Sequence, residues 1–171
     1  LGSMAVASVT AAGKISMFFC CPFDALGATM ATFAGQNAGA GKPDRIRRGL
    51  RAGNLFGIVY AAAAFAFLAA AGGSVALLFV DSSETEILKN VQMMLTANGA
   101  FYIALVFVNN VRFLIQGIGY SGLAIFSGAS EMVARAVAGF LLVPVFGFSA
   151  VCFANPLAWV MADLFLIPAY F

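Results

Sequence analysis

The sequence predicts an all-α protein, a polytopic membrane helical bundle of about five transmembrane helices. Of its 171 residues, 63% are hydrophobic and 9% are charged, whereas a soluble domain carries roughly 25% charged residues. The apolar residues also fall in five long runs, each longer than the roughly 20 residues that a helix needs to cross a bilayer. We predict helices over residues 4–36, 44–80, 87–118, 123–146 and 150–171.

A basic turn between the first and second runs sets the predicted orientation. Five of the nine Lys and Arg residues lie in it, opposed only by Asp44: Lys42, Arg45, Arg47, Arg48 and Arg51. Short loops rich in Lys and Arg stay on the cytoplasmic side of a membrane. We therefore place this turn inside the cell, with membrane lipid as an expected partner of its side chains.

The end of the first run predicts a tight connection between two packed helices. Ala31, Gly35 and Gly39 recur at every fourth position, and small residues at this spacing let a neighbouring helix approach closely. Pro43 suits the first turn of the next helix, where the N–H group that it lacks would have no partner. Earlier in the first run, Pro22 removes a backbone donor and predicts a kink.

The second run ends at a turn expected on the outer face. Residues 53–80 contain no charge, and residues 81–86 then supply three acidic side chains and two serines. An acidic outer turn agrees with a basic inner turn, although acidic residues carry less weight in membrane topology.

The third run carries one polar stripe on an otherwise apolar helix. Its members recur at steps of three, four or seven residues, with Leu105 completing the series: Asn98, Tyr102, Asn109, Arg112 and Gln116. Residues at this spacing share one helix face, and polar groups are costly in lipid. We expect the stripe to face the bundle interior, either on a substrate or ion pathway or in interhelical hydrogen bonds alone.

Four further charged residues are candidates for the pathway. Glu131 and Arg135 are spaced i,i+4 in the favourable order, and this pair could also be purely structural. Asp24 and Asp163 are lone carboxylates within apolar runs, which makes them functional candidates by default. The alternative for Asp163 is a structural partner on a neighbouring helix, such as Arg135 or an asparagine.

Other functional classes find no support in the sequence. Cys20, Cys21 and Cys152 have no metal-ligand spacing, and the chain contains no histidine. We expect no metal site, no organic cofactor, no enzymatic activity and no nucleic-acid partner.

At the basic turn, the sequence resembles a known transporter family. Residues 35–42, Gly-Gln-Asn-Ala-Gly-Ala-Gly-Lys, followed by Arg45, resemble the signature loop of the multidrug and toxic compound extrusion (MATE) antiporters. The residues that carry the resemblance are Gly35, Gln36, Asn37, Gly39, Ala40 and Arg45. Residues 1–7, residues 116–119 and the stretch from Gly147 to Trp159 resemble other family segments in the same order.

The resemblance implies a two-lobe antiporter of twelve helices. This chain would cover helices eight to twelve, as a fragment whose partner is the missing N-terminal lobe. Such proteins export small organic cations in exchange for sodium or protons, from the plasma membrane, here the inner membrane of a bacterium. The family's ion-binding carboxylate on the tenth helix falls near Leu105, which cannot bind an ion, and Gln116 replaces the usual arginine.

Two other functions remain open at this point. A flippase-like exporter of polyprenyl-linked lipids would share the broad architecture. A small membrane subunit with no transport activity would also satisfy the composition.

Overall fold

The computed structural model describes residues 2–170, which form seven α-helices and no β-strand. In chain order these are α1 (Gly2–Gly39), α2 (Pro43–Ala76), α3 (Thr85–Ala100), α4 (Tyr102–Gly117), α5 (Ser121–Val137), α6 (Val143–Phe146) and α7 (Phe148–Tyr170). A π-helical turn, Ala138–Leu142, joins α5 to α6. Two residues of earlier predictions lie outside the described residues. They are Leu1, in the stretch 1–7 that resembles a family segment, and Phe171, the last residue of the fifth predicted helix.

The helices have the lengths that a membrane bundle requires. Within residues 2–170, four helical segments are long and apolar enough to cross a bilayer: Gly2–Gly39, Pro43–Ala76, Ser121–Phe146 and Phe148–Tyr170. The bent pair α3 and α4 makes a fifth if it counts as one span. The predicted all-α membrane bundle of about five spans is confirmed.

The third predicted helix is broken near its middle. The sequence predicted one run over residues 87–118, whereas α3 and α4 meet at an angle of 52°. Phe101 lies between them, and its N–H donates to the Asn98 carbonyl oxygen at 3.0 Å, which tightens the last turn of α3. Asn98 and Gly99 have low helix propensity, a local cause that the apolar pattern alone does not show.

The first connection agrees with the sequence prediction in part, since the close approach at Gly35 is to α4 rather than to the next helix. Pro43 begins α2, and Pro22 lies inside the single helix α1. A β-carbon added to Gly35 would lie 2.9 Å from the Gly117 carbonyl oxygen, so α1 and α4 nearly touch there. Gly39 does not share this role, because an added β-carbon would meet no atom within 4 Å in the described part of the chain.

Helix α4 lies at the centre of the bundle. It packs against α1 and α2 on one side and against α5 and α7 on the other. Tyr102 at its start is fully buried. Its ring centroid lies 5.4 Å from that of Phe23 and 6.1 Å from that of Trp159. Any polar residue on α4 is therefore placed to reach groups on several other helices.

Candidate functional site

The largest set of charged groups inside the bundle joins α4 to α5. The Arg112 guanidinium contacts the Glu131 carboxylate through Nη2, which also donates to Ser127 Oγ at 2.9 Å. Arg135 Nη2 lies 3.0 Å from the other Glu131 oxygen, so one carboxylate pairs with two arginines. Glu131 is 7% exposed. The predicted i,i+4 contact between Glu131 and Arg135 is confirmed, and Arg112 joins it from another helix.

Helix α7 adds the remaining acidic group. Asp163 lies within electrostatic range of Arg112 and Glu131. Its Oδ1 is buried and has no hydrogen-bond partner within residues 2–170, and the same holds for Arg112 Nε. The alternative that Arg135 pairs with Asp163 is not observed, because Arg135 contacts Glu131 and donates from Nε to Asn155 Oδ1 at 3.4 Å.

The four charged groups Arg112, Glu131, Arg135 and Asp163 form one cluster with a formal charge of zero when all are ionised. Three helices, α4, α5 and α7, contribute to it. Asp163 also borders a cavity of about 250 Å³ whose other walls are Val160, Leu164, Ile167 and Pro168. Asp163 Oδ1 lacks a hydrogen bond, and the cavity walls beside the carboxylate are apolar. Asp163 can therefore exchange its interaction partner more readily than a carboxylate held in a complete salt bridge.

Asp24 forms a second and separate site. Asn109 Nδ2 donates to Asp24 Oδ1 at 2.9 Å, which links α4 to α1. Asn109 is 6% exposed, whereas Asp24 is exposed. This hydrogen bond uses one of the two carboxylate oxygens. Asp24 therefore lies at the edge of the bundle, and Asn109 of the polar stripe on α4 binds it from the bundle side.

An exposed polar stripe on α1 was missed by sequence reasoning. Lys14, Asp24, Thr32 and Gln36 are all exposed, and with 3.6 residues per turn their side chains fall within about 120° of one another. Thr29, Thr32 and Gln36 also border an open groove of about 480 Å³. The signal for this stripe is the spacing of its polar residues, which is weak within an apolar run of this length.

The start of the predicted polar stripe lies at the break between α3 and α4. Asn98 and Tyr102 are 1% and 0% exposed. Neither side-chain polar atom of Asn98 has a hydrogen-bond partner within the described residues. The Tyr102 hydroxyl lies close enough to Ser16 and Cys20 on α1 to interact with both. Buried polar groups without partners are few in native proteins, and Asn98 is such a group.

The other end of the stripe does not face the interior. Gln116 is exposed, so the prediction that the whole stripe is buried is wrong at this position. Helix α4 ends one residue later, at Gly117, where the chain leaves the bundle. Leu105, the apolar member of the series, is 8% exposed, consistent with a core position.

The turn between α1 and α2 is held by its own backbone and by Asn37. The buried Asn37 donates from Nδ2 to the Phe33 carbonyl oxygen at 2.7 Å, and its own carbonyl accepts the Lys42 N–H at 2.9 Å. Gly41 has φ +64°, a left-handed conformation that glycine adopts without strain. Ala40 and Arg45 are exposed on the same turn.

The comparison with protein families decides what kind of molecule this is. The MatE family model matches residues 1–141, which include the turn, the central helix α4 and the cluster residues Arg112, Glu131 and Arg135. The chain belongs to the MATE family. Neither the curated proteins nor the solved structures gave a match.

Family membership makes the chain a multi-pass membrane protein of a transporter type, in agreement with its apolar helices. MATE proteins are transporters. No group of three or more His, Cys, Asp or Glu side chains is arranged to hold a metal ion within residues 2–170.

Several hydrogen-bonding residues of this MATE chain were not predicted. Asn110 Nδ2 donates to Asn54 Oδ1 at 2.8 Å and links α4 to α2. Ser127 and Asn155 complete the charge cluster. Ser127 precedes Glu131 by one helical turn, a spacing that could have identified it. Asn54 and Asn155 had no such signal, because their partners lie on distant parts of the chain.

Proposed function

We propose that this chain is part of a secondary antiporter that exports small organic cations in exchange for sodium or protons. The single observation that carries the proposal is the exposed polar stripe on α1, which includes Asp24, Thr32 and Gln36. A charged residue facing lipid is costly, so such residues in membrane helices face protein or a wet cavity. The stripe is therefore expected to line a path between this group of helices and a second lobe.

Asp24 is the proposed contact for the organic cation. It lies on the exposed stripe, and Asn109 binds one of its oxygens from the bundle side. Counting 15 residues from Asp24 to the end of α1 at Gly39 places it about 22 Å from that end. In a hydrocarbon layer about 30 Å thick, this distance places Asp24 inside the membrane span, away from the cytoplasmic surface at which α1 ends.

Asp163 is the proposed contact for the coupling ion. Its Oδ1 is buried without a hydrogen-bond partner in the described part of the chain, close to Arg112 and Glu131. Binding of sodium or a proton would remove one negative charge from the cluster and change the balance between α7 and the pair α4 and α5. Alternating access by movement of whole helix groups around a fixed site is the usual mechanism of secondary transporters.

The test uses everted membrane vesicles that contain the intact transporter and a fluorescent organic cation such as ethidium. Transport is energised in turn by a sodium gradient and by a proton gradient. Asp24→Asn should raise the KM for ethidium under either gradient, and Asp24→Glu should restore most of the activity. Asp163→Asn should abolish the dependence on the gradient while leaving ethidium binding intact.

Asp81→Asn serves as the matched control, because it removes the same charge from an exposed turn between α2 and α3. Its transport should equal that of the wild type. Unchanged ion-driven export in both Asp24→Asn and Asp163→Asn would remove these carboxylates from the mechanism. Localisation in the inner membrane of a bacterium belongs to the same proposal and is checked by membrane fractionation.

A further inference from the structure

A cavity of about 570 Å³ lies at the basic end of the bundle, apart from the proposed transport path. Its walls come from the start of α2, the end of α4 and the end of α7. Its polar lining includes Arg47, Arg51 and Asn54, and its apolar lining includes Leu50 and Leu114. The basic turn at the start of α2 is predicted to be cytoplasmic, and the structure brings the ends of α4 and α7 to the same place.

The positive charge of this cavity is not balanced by an acidic side chain within the described residues. Arg47 and Arg51 are exposed, and neither makes an ion pair or a hydrogen bond within residues 2–170. No acidic side chain lines the cavity in the same range. The two guanidinium groups lie one helical turn apart on one face of α2, so a single phosphate group could contact both.

The cavity lies at the level of lipid headgroups. Helix α2 has 34 residues and is therefore about 51 Å long, whereas the hydrocarbon layer is about 30 Å thick. The first turns of α2 consequently project into the headgroup region. Arg51 is the ninth residue of α2, within reach of that region for a long side chain that extends its charge toward water.

An apolar surface continues from the cavity toward the middle of the membrane. Leu55 and Val59 follow Arg51 at i+4 and i+8 and are 64% and 63% exposed. A free phosphate would use the arginines and leave these side chains without a partner. A phospholipid would place its phosphate on the arginines and its acyl chains along Leu55 and Val59.

We propose that this cavity is a binding site for an anionic phospholipid of the cytoplasmic leaflet. Arg47 and Arg51 bind the phosphate, and Asn54 is placed to contact the headgroup or glycerol oxygens. Basic pockets between membrane helices on the cytoplasmic side are suited to such headgroups. The bound lipid would join the ends of α2, α4 and α7, and the site is independent of the proposed substrate and coupling-ion contacts.

The test measures lipid binding to the intact transporter in a neutral detergent by native mass spectrometry. The probes are dioleoyl phosphatidylglycerol, dioleoyl phosphatidylcholine and inorganic phosphate, each added alone. The double variant Arg47→Gln/Arg51→Gln should bind phosphatidylglycerol about 30-fold more weakly than the wild type. This corresponds to about 1 kcal/mol for each arginine at 1.4 kcal/mol per tenfold.

The matched control is Arg45→Gln/Arg48→Gln, which removes the same charge from the same turn but outside the cavity lining. It should retain at least a third of the wild-type affinity, and Arg47→Lys/Arg51→Lys should retain most of it. Equal losses in the two glutamine variants would overturn the proposal in favour of a non-specific charge effect. Equal binding of phosphatidylcholine, or binding of inorganic phosphate as tight as that of phosphatidylglycerol, would overturn it as well.

Discussion

Gly117 of α4 lies against Ala31 of α1 so closely that a β-carbon on Gly117 would come within 2.2 Å of the Ala31 carbonyl oxygen. The obstacle is backbone rather than a flexible side chain, so the helices would have to separate to admit any larger residue. This contact fixes the distance between the helix that carries the exposed polar stripe and the helix that carries Asn109 and Arg112.

Gly117→Ala should therefore lower the free energy of unfolding by on the order of 3 kcal/mol, as overpacking of a close contact does. Gly128→Ala is the control, since an added β-carbon there meets nothing within 4 Å among residues 2–170. That change should raise stability by about 0.5–1 kcal/mol, because glycine is unfavourable within a helix. Reversible unfolding in SDS measures both, and equal effects would contradict the close contact.

Glu131 should be essential to the structure of the α4–α5 pair. Glu131→Gln would leave the half-buried Arg112 charge beside Ser127 without the Glu131 carboxylate, which should cost on the order of 3 kcal/mol. The contribution of Arg135 should be small, because its side chain is 44% exposed.

The measurement is a double-mutant cycle in the free energy of unfolding with Glu131→Gln and Arg112→Gln. Their coupling should be well above that of Glu131→Gln with Arg135→Gln. Glu86→Gln, an exposed acidic position at the start of α3, should change stability very little. A coupling near zero between Arg112 and Glu131 would show that the pair does not stabilise the bundle.

Asn98 and Asn110 should respond in opposite ways to the same substitution. Both are 1% exposed, but Asn110 bonds to Asn54, whereas neither side-chain polar atom of Asn98 has a partner within the described residues. Asn98→Leu should raise the free energy of unfolding by about 1 kcal/mol, because it removes a buried group without partners.

Asn110→Leu should lower the free energy of unfolding by about 1–2 kcal/mol, because Asn54 Oδ1 loses the donor to which it bonds. Thermal unfolding of the two variants in detergent gives the comparison. Equal destabilisation by both substitutions would mean that Asn98 has a partner such as a bound ion or water.

The Asp81 carboxyl, in the turn between α2 and α3, should stay ionised to a lower pH than an ordinary aspartate. The backbone N–H and the hydroxyl of Ser83 both donate to Asp81 Oδ1 at 2.9 Å, and these bonds lower the pKa of the Asp81 carboxyl. A carboxyl group whose pKa is lowered by folding stabilises the fold above its unfolded pKa. That contribution is lost as the pH falls through the lower, folded value.

Ser83→Ala should raise the Asp81 pKa toward its ordinary value, because the hydroxyl bond is lost while the backbone bond remains. The titration is followed by the carboxyl carbon NMR signal of Asp81, and Ser82→Ala is the control. An unchanged titration in Ser83→Ala would show that the hydroxyl does not bond the carboxylate in solution.

Part of the candidate site could be predicted from sequence because its signal is local. The contact of Glu131 with Arg135 follows from i,i+4 spacing on one helix, and the burial of Asn98 and Tyr102 follows from their shared face. The third participant, Arg112, was predicted to face inward, but its partner was not. Which groups meet across helices depends on the rotation of each helix about its axis, and an apolar run sets that rotation only weakly.

The sequence by itself determined the fold class, the approximate spans, the basic turn and the family. The fold class, the spans and the basic turn follow from the length of the apolar runs, from local charge and from small-residue spacing, which act within a few turns of chain. The family follows from the resemblance of the signature loop and from the match of the family model. Only the tertiary structure decided the 52° break, the pairing of Arg112 with Glu131, the unpartnered oxygen of Asp163 and the cavity beside Arg47 and Arg51. The break has a local cause in Asn98 and Gly99 that the apolar pattern does not show. The other three features depend on contacts between helices far apart in sequence, whose positions are fixed by the packing of the whole bundle.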